Sequence, residues 1–193
     1  MPKVVPEYKE EAKERIIQAA LQVFSDKGYH QATMEDVATR LGVSRGALYQ
    51  YFKSKEELLY AIIERWDQSM KNFLPPAHEE KEPKESLQVM FEHIAEDSPG
   101  QMGFILELIA EASRNPSIKK LLSEAYQRSL KTTSEFLAKQ SKKNVAHSAE
   151  DVRRLSVGFM MLQLGLLASL ALGTDKTDAK LAWQQLTKAI VNV

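Results

Sequence analysis

Thr33-Met-Glu-Asp-Val-Ala-Thr-Arg-Leu-Gly-Val-Ser-Arg-Gly-Ala-Leu-Tyr-Gln-Tyr-Phe52 is the stretch that decides the fold. It encodes two short helices joined by a tight turn. The Thr33 hydroxyl suits an N-cap, because it can accept one of the free N–H groups of a first helical turn. Asp36 stands at the third position, which makes a capping box with Asp in place of Glu. The helix it opens runs from Met34 to Leu41. Leu41-Gly42-Val43-Ser44 supplies the turn, and Gly42 admits the positive φ that a sharp reversal needs. Ser44 then caps a second helix of about Arg45 to Phe52. Val37, Ala38, Leu41, Val43 and Leu48 are spaced to bury against Leu21 and Phe24 of a preceding helix. This is helix-turn-helix geometry. An ordinary αα-hairpin inside a bundle is the competing reading.

Several details favour DNA. Arg45 and Lys55 each occupy the first position of a helix, where a cation opposes the helix dipole. A phosphate would supply the missing negative charge, since helix N-termini present free N–H groups to anions. The helix opened by Ser44 has Ala47 at its third position and no acid in its first turn. Gly46 lies within a helix of barely two turns, costing about 0.5–1 kcal/mol relative to Ala, which close approach to a partner's backbone would explain. Tyr49 and Tyr51 can bond phosphate and pack on sugar, and Gln50 can read base edges. Lys53 adds charge. The first 60 residues hold 9 Lys/Arg and 9 Asp/Glu, so this basic, aromatic cluster is hidden in a neutral average.

Working outward, the apolar stripe Ile16, Ile17, Ala20, Leu21, Val23 and Phe24 predicts a helix over Glu10 to Lys27, ended by Gly28. Ser54 and Glu57 form a Ser-x-x-Glu box opening a helix from Lys55 to about Phe73. Leu74 to Lys84, with Pro75, Pro76 and Pro83, reads as a linker. Helices follow over roughly 85–97, 101–113, 118–139, 148–172 and 179–191, with breaks at Pro99-Gly100, Asn115-Pro116, Lys142–Asn144 and Gly173-Thr174. The fold class is all-α: an N-terminal three-helix helix-turn-helix DNA-binding domain (1–55, motif about 33–52) and a C-terminal helical bundle for ligand binding and dimerisation (56–193).

The runs Ala20 to Tyr29, Ala32 to Ala38 and Leu41 to Leu59 resemble the TetR family of bacterial transcriptional regulators. The match is nearly unbroken and covers only the N-terminal quarter to third. The resemblance implies that Thr33 contacts phosphate and that Arg45, Gly46, Tyr49 and Gln50 face bases or backbone in the major groove. It implies backbone contacts from Tyr51 and Lys55, and a homodimer on a palindromic double-stranded operator. Ala47 offers only a methyl, which suits thymine.

The remaining composition sets bounds. The chain has 193 residues, 44% of them hydrophobic and 27% charged, with 26 basic and 26 acidic side chains. Zero net charge argues against a generic nucleic-acid coat, but not against a small docking face, because charges act locally within roughly 10 Å. The absence of Cys excludes disulfides and thiolate chemistry. Met1 to Arg15 is charged and has no apolar stretch, so no leader is expected and the cytoplasm is the default. Val157 to Leu172 is nearly all apolar, but at 16 residues with Gln163 and Ser169 it reads as a buried helix rather than a membrane span.

Trp66, Met70, Met90, Phe91, Met102, Phe104, Tyr126, Met160 and Met161 form an adaptable apolar inventory for a small-molecule pocket, or plain core. Glu107 and Glu111, spaced i, i+4, can meet a cationic ligand or face solvent with Arg114, and solvent is favoured. Gly158, Leu162, Gly165 and Ser169 share a helical face that permits close approach, and Trp183, Leu186 and Ile190 form a stripe on the last helix. Together they suggest a four-helix dimer interface, internal packing being the alternative. His93 and Glu96 are a lone i, i+3 pair, and no metal or cofactor is expected. No nucleophile–base pair or glycine-rich phosphate loop argues for an enzyme. A protein-binding helical adaptor would leave the cations at helix starts unexplained. The expected function is a ligand-responsive regulator, a repressor released by a small apolar or amphipathic effector.

Overall fold

A computed structural model describes residues 6–74, 83–96, 99–144 and 148–191. Among them the chain forms α1 (Pro6–Lys27), α2 (Met34–Leu41), α3 (Arg45–Tyr49), α4 (Lys55–Phe73), α5 (Pro83–Glu96), α6 (Pro99–Glu111), α7 (Pro116–Asn144), α8 (Ala149–Ala171) and α9 (Lys176–Val191), and no strand. His78 and His147 lie outside the described residues.

Local chemistry sets most boundaries. Gly28 ends α1 at φ 77° and Gly42 ends α2 at φ 68°. The Thr33–Asp36 capping box is present in full. Ser44 Oγ accepts the Ala47 N–H at 3.2 Å, and Ser54 Oγ accepts the Glu57 N–H at 3.2 Å. The Glu57 carboxylate does not close the expected box. It accepts the N–H of Lys53, one residue before the cap. α3 stops at Tyr49 rather than Phe52, with Gln50 as its C-cap. Phe52 is drawn inward instead of continuing the helix. α7 runs through the expected break to Asn144. It opens at Pro116, where Asn115 Oδ1 accepts the N–H groups of Ser117 and Ile118 at 3.1 and 3.3 Å. Proline at the first helical position forfeits no intrahelical bond, which is why the helix starts earlier than its apolar stripe.

Two apolar cores result. The first joins Ala20, Phe24, Val37, Ala38 and Leu48 to Leu58, Leu59 and Ile62 of α4, and to Phe104 and Leu108 of α6. It therefore runs across residue 55. Val43, expected inside, is exposed. The second gathers Leu74, Met90, Phe91, Phe136, Phe159 and Trp183. Leu74, placed in the linker by its neighbours in sequence, is buried there.

α8 differs from expectation. It is long and apolar enough by length and composition to cross a membrane, a test that core helices also pass, yet only 22% of its most apolar window is buried. Its inner side is core (Val152, Phe159, Leu166). Its outer side leaves Met161 68% exposed, and Leu172 at its C-cap is 88% exposed.

Candidate nucleic-acid interface and ligand cleft

α3 hangs on one anchor. Leu48 is fully buried, so the remaining positions of this short helix turn outward: Arg45, Gly46 and Gln50 are exposed, and Ala47 and Tyr49 are half-buried. Arg45 Nη2 donates to the Tyr49 hydroxyl at 3.3 Å, and its guanidinium lies 5.3 Å from the ring centroid. That hydroxyl raises the Arg45 pKa above its ordinary value. The pair presents a cation and an aromatic ring as one preset unit, the combination that phosphate and sugar contacts use. Lys53, exposed, donates to the Tyr49 carbonyl at 2.6 Å. Tyr51 is half-buried against the first core.

Gly46 is informative because of what surrounds it. A Cβ built there meets nothing within 4 Å, and its φ is not in the positive region. Among the described residues nothing requires glycine at this point.

Two expected phosphate contacts, Thr33 and Lys55, and the DNA-face candidate Ser44 are already engaged. The Thr33 hydroxyl accepts the Asp36 N–H at 3.2 Å and donates to Asp36 Oδ2 at 2.9 Å. Ser44 Oγ is exposed but serves its cap. Lys55 departs furthest. Its ammonium donates to the carbonyls of Tyr29, His30 and Ala32 at 2.7, 3.3 and 3.0 Å and lies 4.5 Å from the Tyr29 ring centroid. It ties α4 to the α1–α2 turn instead of reaching outward.

A second feature lies in the helical body. α4, α6 and α7 bound a cleft of about 460 Å³, with Leu164 of α8 at its edge. Trp66, Met70 and Tyr126 line it as expected, joined by Ile63, Ile105 and Leu108. The other six candidates are elsewhere. Met90, Phe91 and Phe104 belong to the two cores, toward which their helix faces turn, and Met102 is buried as well. Met160 takes a contact from the Thr133 hydroxyl at 3.8 Å, and Met161 points out of the bundle. The sequence reading missed Asp67, a buried carboxylate lining the cleft. Its signal was legible: Leu59, Ile63 and Asp67 are spaced by four, placing a charge on an apolar stripe.

Glu107 and Glu111 are both engaged within the protein, Glu107 half-buried and Glu111 buried. Both oxygens of Glu107 accept the Tyr29 N–H, at 3.0 and 3.1 Å. Glu111 is 5% exposed. It lies 2.8 Å from His30 Nε2 and 2.8 Å from Arg114 Nε. The expected Arg114 pairing holds, but in a buried setting.

The dimer candidates divide. Gly165 and Ser169 are exposed, Gly158 is half-buried, and a Cβ at either glycine meets nothing within 4 Å. Among the described residues, then, nothing packs where a side chain on these two glycines would lie. Leu162 and Ile190 lean on the second core, and Leu186 is exposed. Trp183 is a correction. It is buried against Phe159 and Phe91, and its Nε1–H donates to the Leu87 carbonyl at 2.9 Å. Among the described residues no group of three or more His, Asp or Glu is arranged to hold a metal.

An exposed recognition helix on a buried anchor, joined to a helical body with its own cleft, defines a helix-turn-helix transcriptional regulator. Residues 16–62 match the family described as bacterial regulatory proteins, tetR family. This stretch, the helix-turn-helix region, is the TetR-family part of the chain. It is 29% identical over 164 residues to the HTH-type transcriptional regulator UidR of Escherichia coli (strain K12), covering 81% of this chain and 80% of that protein. Salmonella enterica GusR has the same fold at TM-score 0.77 and 20% identity, over 100% of both chains. FadR of Bacillus subtilis, in complex with stearoyl-CoA, superposes at TM-score 0.72 and 21% identity over 93% of this chain and 98% of that one. These relatives are regulators, and this chain is a DNA-binding regulator rather than an enzyme.

Proposed function

We propose that the protein is a homodimeric repressor that binds a palindromic operator and is released by a small apolar or amphipathic effector. Gly46 carries the reading. It sits exposed beside the Arg45–Tyr49 pair, and its missing side chain relieves nothing in the protein. Arg45, Gly46, Ala47, Tyr49 and Gln50 would meet the major groove. Ser44, Tyr51 and Lys53 would flank it on the backbone. Thr33 and Lys55 would act first by fixing the α1–α2 turn and only secondarily on phosphate. Residues 1–55 would read DNA, and residues 56–193 would sense and dimerise in the cytoplasm. The open α8 face with its two glycines supports a second copy as the dimer partner.

α6 supports a route between the sites. It lines the cleft with Ile105, Leu108 and Ile109, and it holds the α1–α2 turn through Glu107 and Glu111. An occupant that shifts α6 would shift the turn, and so the separation of two recognition helices that must sit one helical turn, about 34–36 Å, or a multiple apart. Its leverage equals its differential affinity for the two states. That FadR is complexed with stearoyl-CoA on this fold supports a ligand role for the body.

The experiment is selection of bound duplex from a random pool at about 150 mM salt, because affinity without stated salt is uninterpretable. A palindromic consensus is the expected result. No enrichment, before and after refolding from denaturant to strip co-purified ligand, would overturn the reading.

A further inference from the structure

We infer that the cleft takes a ligand with an apolar body and a hydrogen-bond-donating head, a hydroxyl or a protonated amine, that docks on Asp67. This rests on the ligand-responsive reading above and names the class of ligand.

Asp67 lines the cleft from α4 and is 3% exposed. Its Oδ2 accepts from Arg128 Nε at 3.1 Å and lies 3.4 Å from Lys71 Nζ. Its Oδ1 is buried and has no hydrogen-bond partner among the described residues. Buried carboxylate oxygens are almost always satisfied, because leaving one bare forfeits its hydration without return. A missing donor is thus marked on a residue of the cleft lining, beside Ile63, Trp66, Met70, Ile105 and Leu108. Met70, flexible and three residues along the same helix, can yield to admit a head group.

The surrounding charges choose among heads. Arg128 Nη2 also lies 2.9 Å from Glu64. Asp67 and Glu64 therefore face Arg128 and Lys71, two against two. An anionic head at Asp67 has no proton to donate to the bare oxygen and adds a third negative charge to the cluster. A neutral donor adds no charge, and a protonated amine gains from the rings of Trp66 and Tyr126 on the same lining. Lys119 also lines the cleft, but from an exposed position on α7. An anion would turn its head there, away from Asp67.

Phenylbutylamine, phenylbutanol and phenylbutyrate share one body and differ in head. Calorimetric titration of the full-length protein should show the amine and the alcohol binding at least about tenfold more tightly than the carboxylate, the cost of one unmatched charged contact. Asp67→Asn should erase the amine's advantage, and Lys119→Gln should widen it by removing the carboxylate's alternative contact. Should Asp67→Asn fail to fold, the wild-type ranking and Lys119→Gln decide. Tighter or equal binding of phenylbutyrate, no binding of any probe, or an unchanged ranking in a folded Asp67→Asn would each overturn the assignment. Operator selection separates the two levels. A consensus with the wrong ranking removes the ligand class and leaves the regulator. No consensus removes the regulator whatever the probes do.

Discussion

The carboxylate of Glu107, on α6, accepts the backbone N–H of Tyr29 through both its oxygens, at 3.0 and 3.1 Å. A helix that lines the cleft thereby holds the turn that leads into the helix-turn-helix. The contact is charge-assisted and half-buried, so Glu107→Ala should lower stability by about 1.5–3 kcal/mol. If it also couples the two halves, the variant should keep binding effector while operator affinity responds to it less. Chemical denaturation and effector titrations of DNA binding measure the two effects. A variant as stable as wild type with an undiminished response would remove Glu107 from the route.

The same contact separates two glycines that look alike in sequence. Gly28 and Gly42 both have φ near +70°, at 77° and 68°. Alanine in that conformation costs roughly 1–2 kcal/mol. A Cβ on Gly42 meets nothing within 4 Å, whereas one on Gly28 meets Glu107 Oε2 at 3.2 Å. Gly28→Ala should therefore destabilise more than Gly42→Ala, and the difference should vanish in a Glu107→Ala background. A double-mutant cycle by thermal melting checks this.

Acid should act at two engaged carboxylates. The hydrogen bond from His30, then that from Arg114, holds Glu111 at about 2, down from 4.5. Hydrogen bonds from Lys27 and Thr33 hold Asp36 at about 2, down from 3.8. A carboxylate depressed on folding adds stability above its unfolded value and loses it as pH falls toward its folded one. Both contributions are fully present at neutral pH. They should fade from about pH 4.5 down to about 2. Glu111→Gln should flatten part of that decline in urea melts taken across the range, and an equally steep decline would exclude Glu111 as its source.

How far the sequence could be read follows from the range of each signal. The helix-turn-helix was legible because its determinants act within a few residues: Thr33 on Asp36, Ser44 on Ala47, Gly42 on its own φ. Glu107 was not, since its partner lies 78 residues away and nothing local distinguishes it from a solvent-facing acid. The last helix shows a subtler failure. Trp183, Leu186 and Ile190 look like its apolar stripe, but Ala179, Trp183 and Thr187 are the buried set. Thr187 hides its polarity by donating to the Trp183 carbonyl at 2.7 Å. Once threonine counts as inward, the stripe rotates and Leu186 faces out. Of the nine cleft candidates only three line it, because periodicity reveals that a face is buried but not whether core or cleft lies beyond.

The rotated stripe sharpens the expected dimer contact. Met161 of α8, Leu172 at its C-cap, and Leu181 and Leu186 of α9 are exposed, as is Gly165. Burying each such side chain is worth about 1.5–3 kcal/mol. Met161→Glu with Leu181→Glu should weaken association by roughly a hundredfold or more, while leaving each chain folded, because neither side chain is buried in the core. Sedimentation equilibrium should show the wild type at twice the mass of the variant. If the variant stays dimeric, another surface joins the copies.

Gly46 offers the test that best separates stability from recognition. Its position is helical and its surroundings are empty. Gly46→Ala should therefore stabilise the protein by about 0.5–1 kcal/mol, since alanine loses less backbone entropy in a helix. A methyl group pushed toward a DNA backbone has the opposite effect, keeping Arg45 and Tyr49 from closing on their contacts. Operator affinity should fall about tenfold or more, a loss of at least about 1.4 kcal/mol. Opposite signs in the melt and the binding isotherm cannot come from damage to the fold. A more stable variant that binds operator as well as wild type would mean that the exposed face of α3 does not approach DNA at this point.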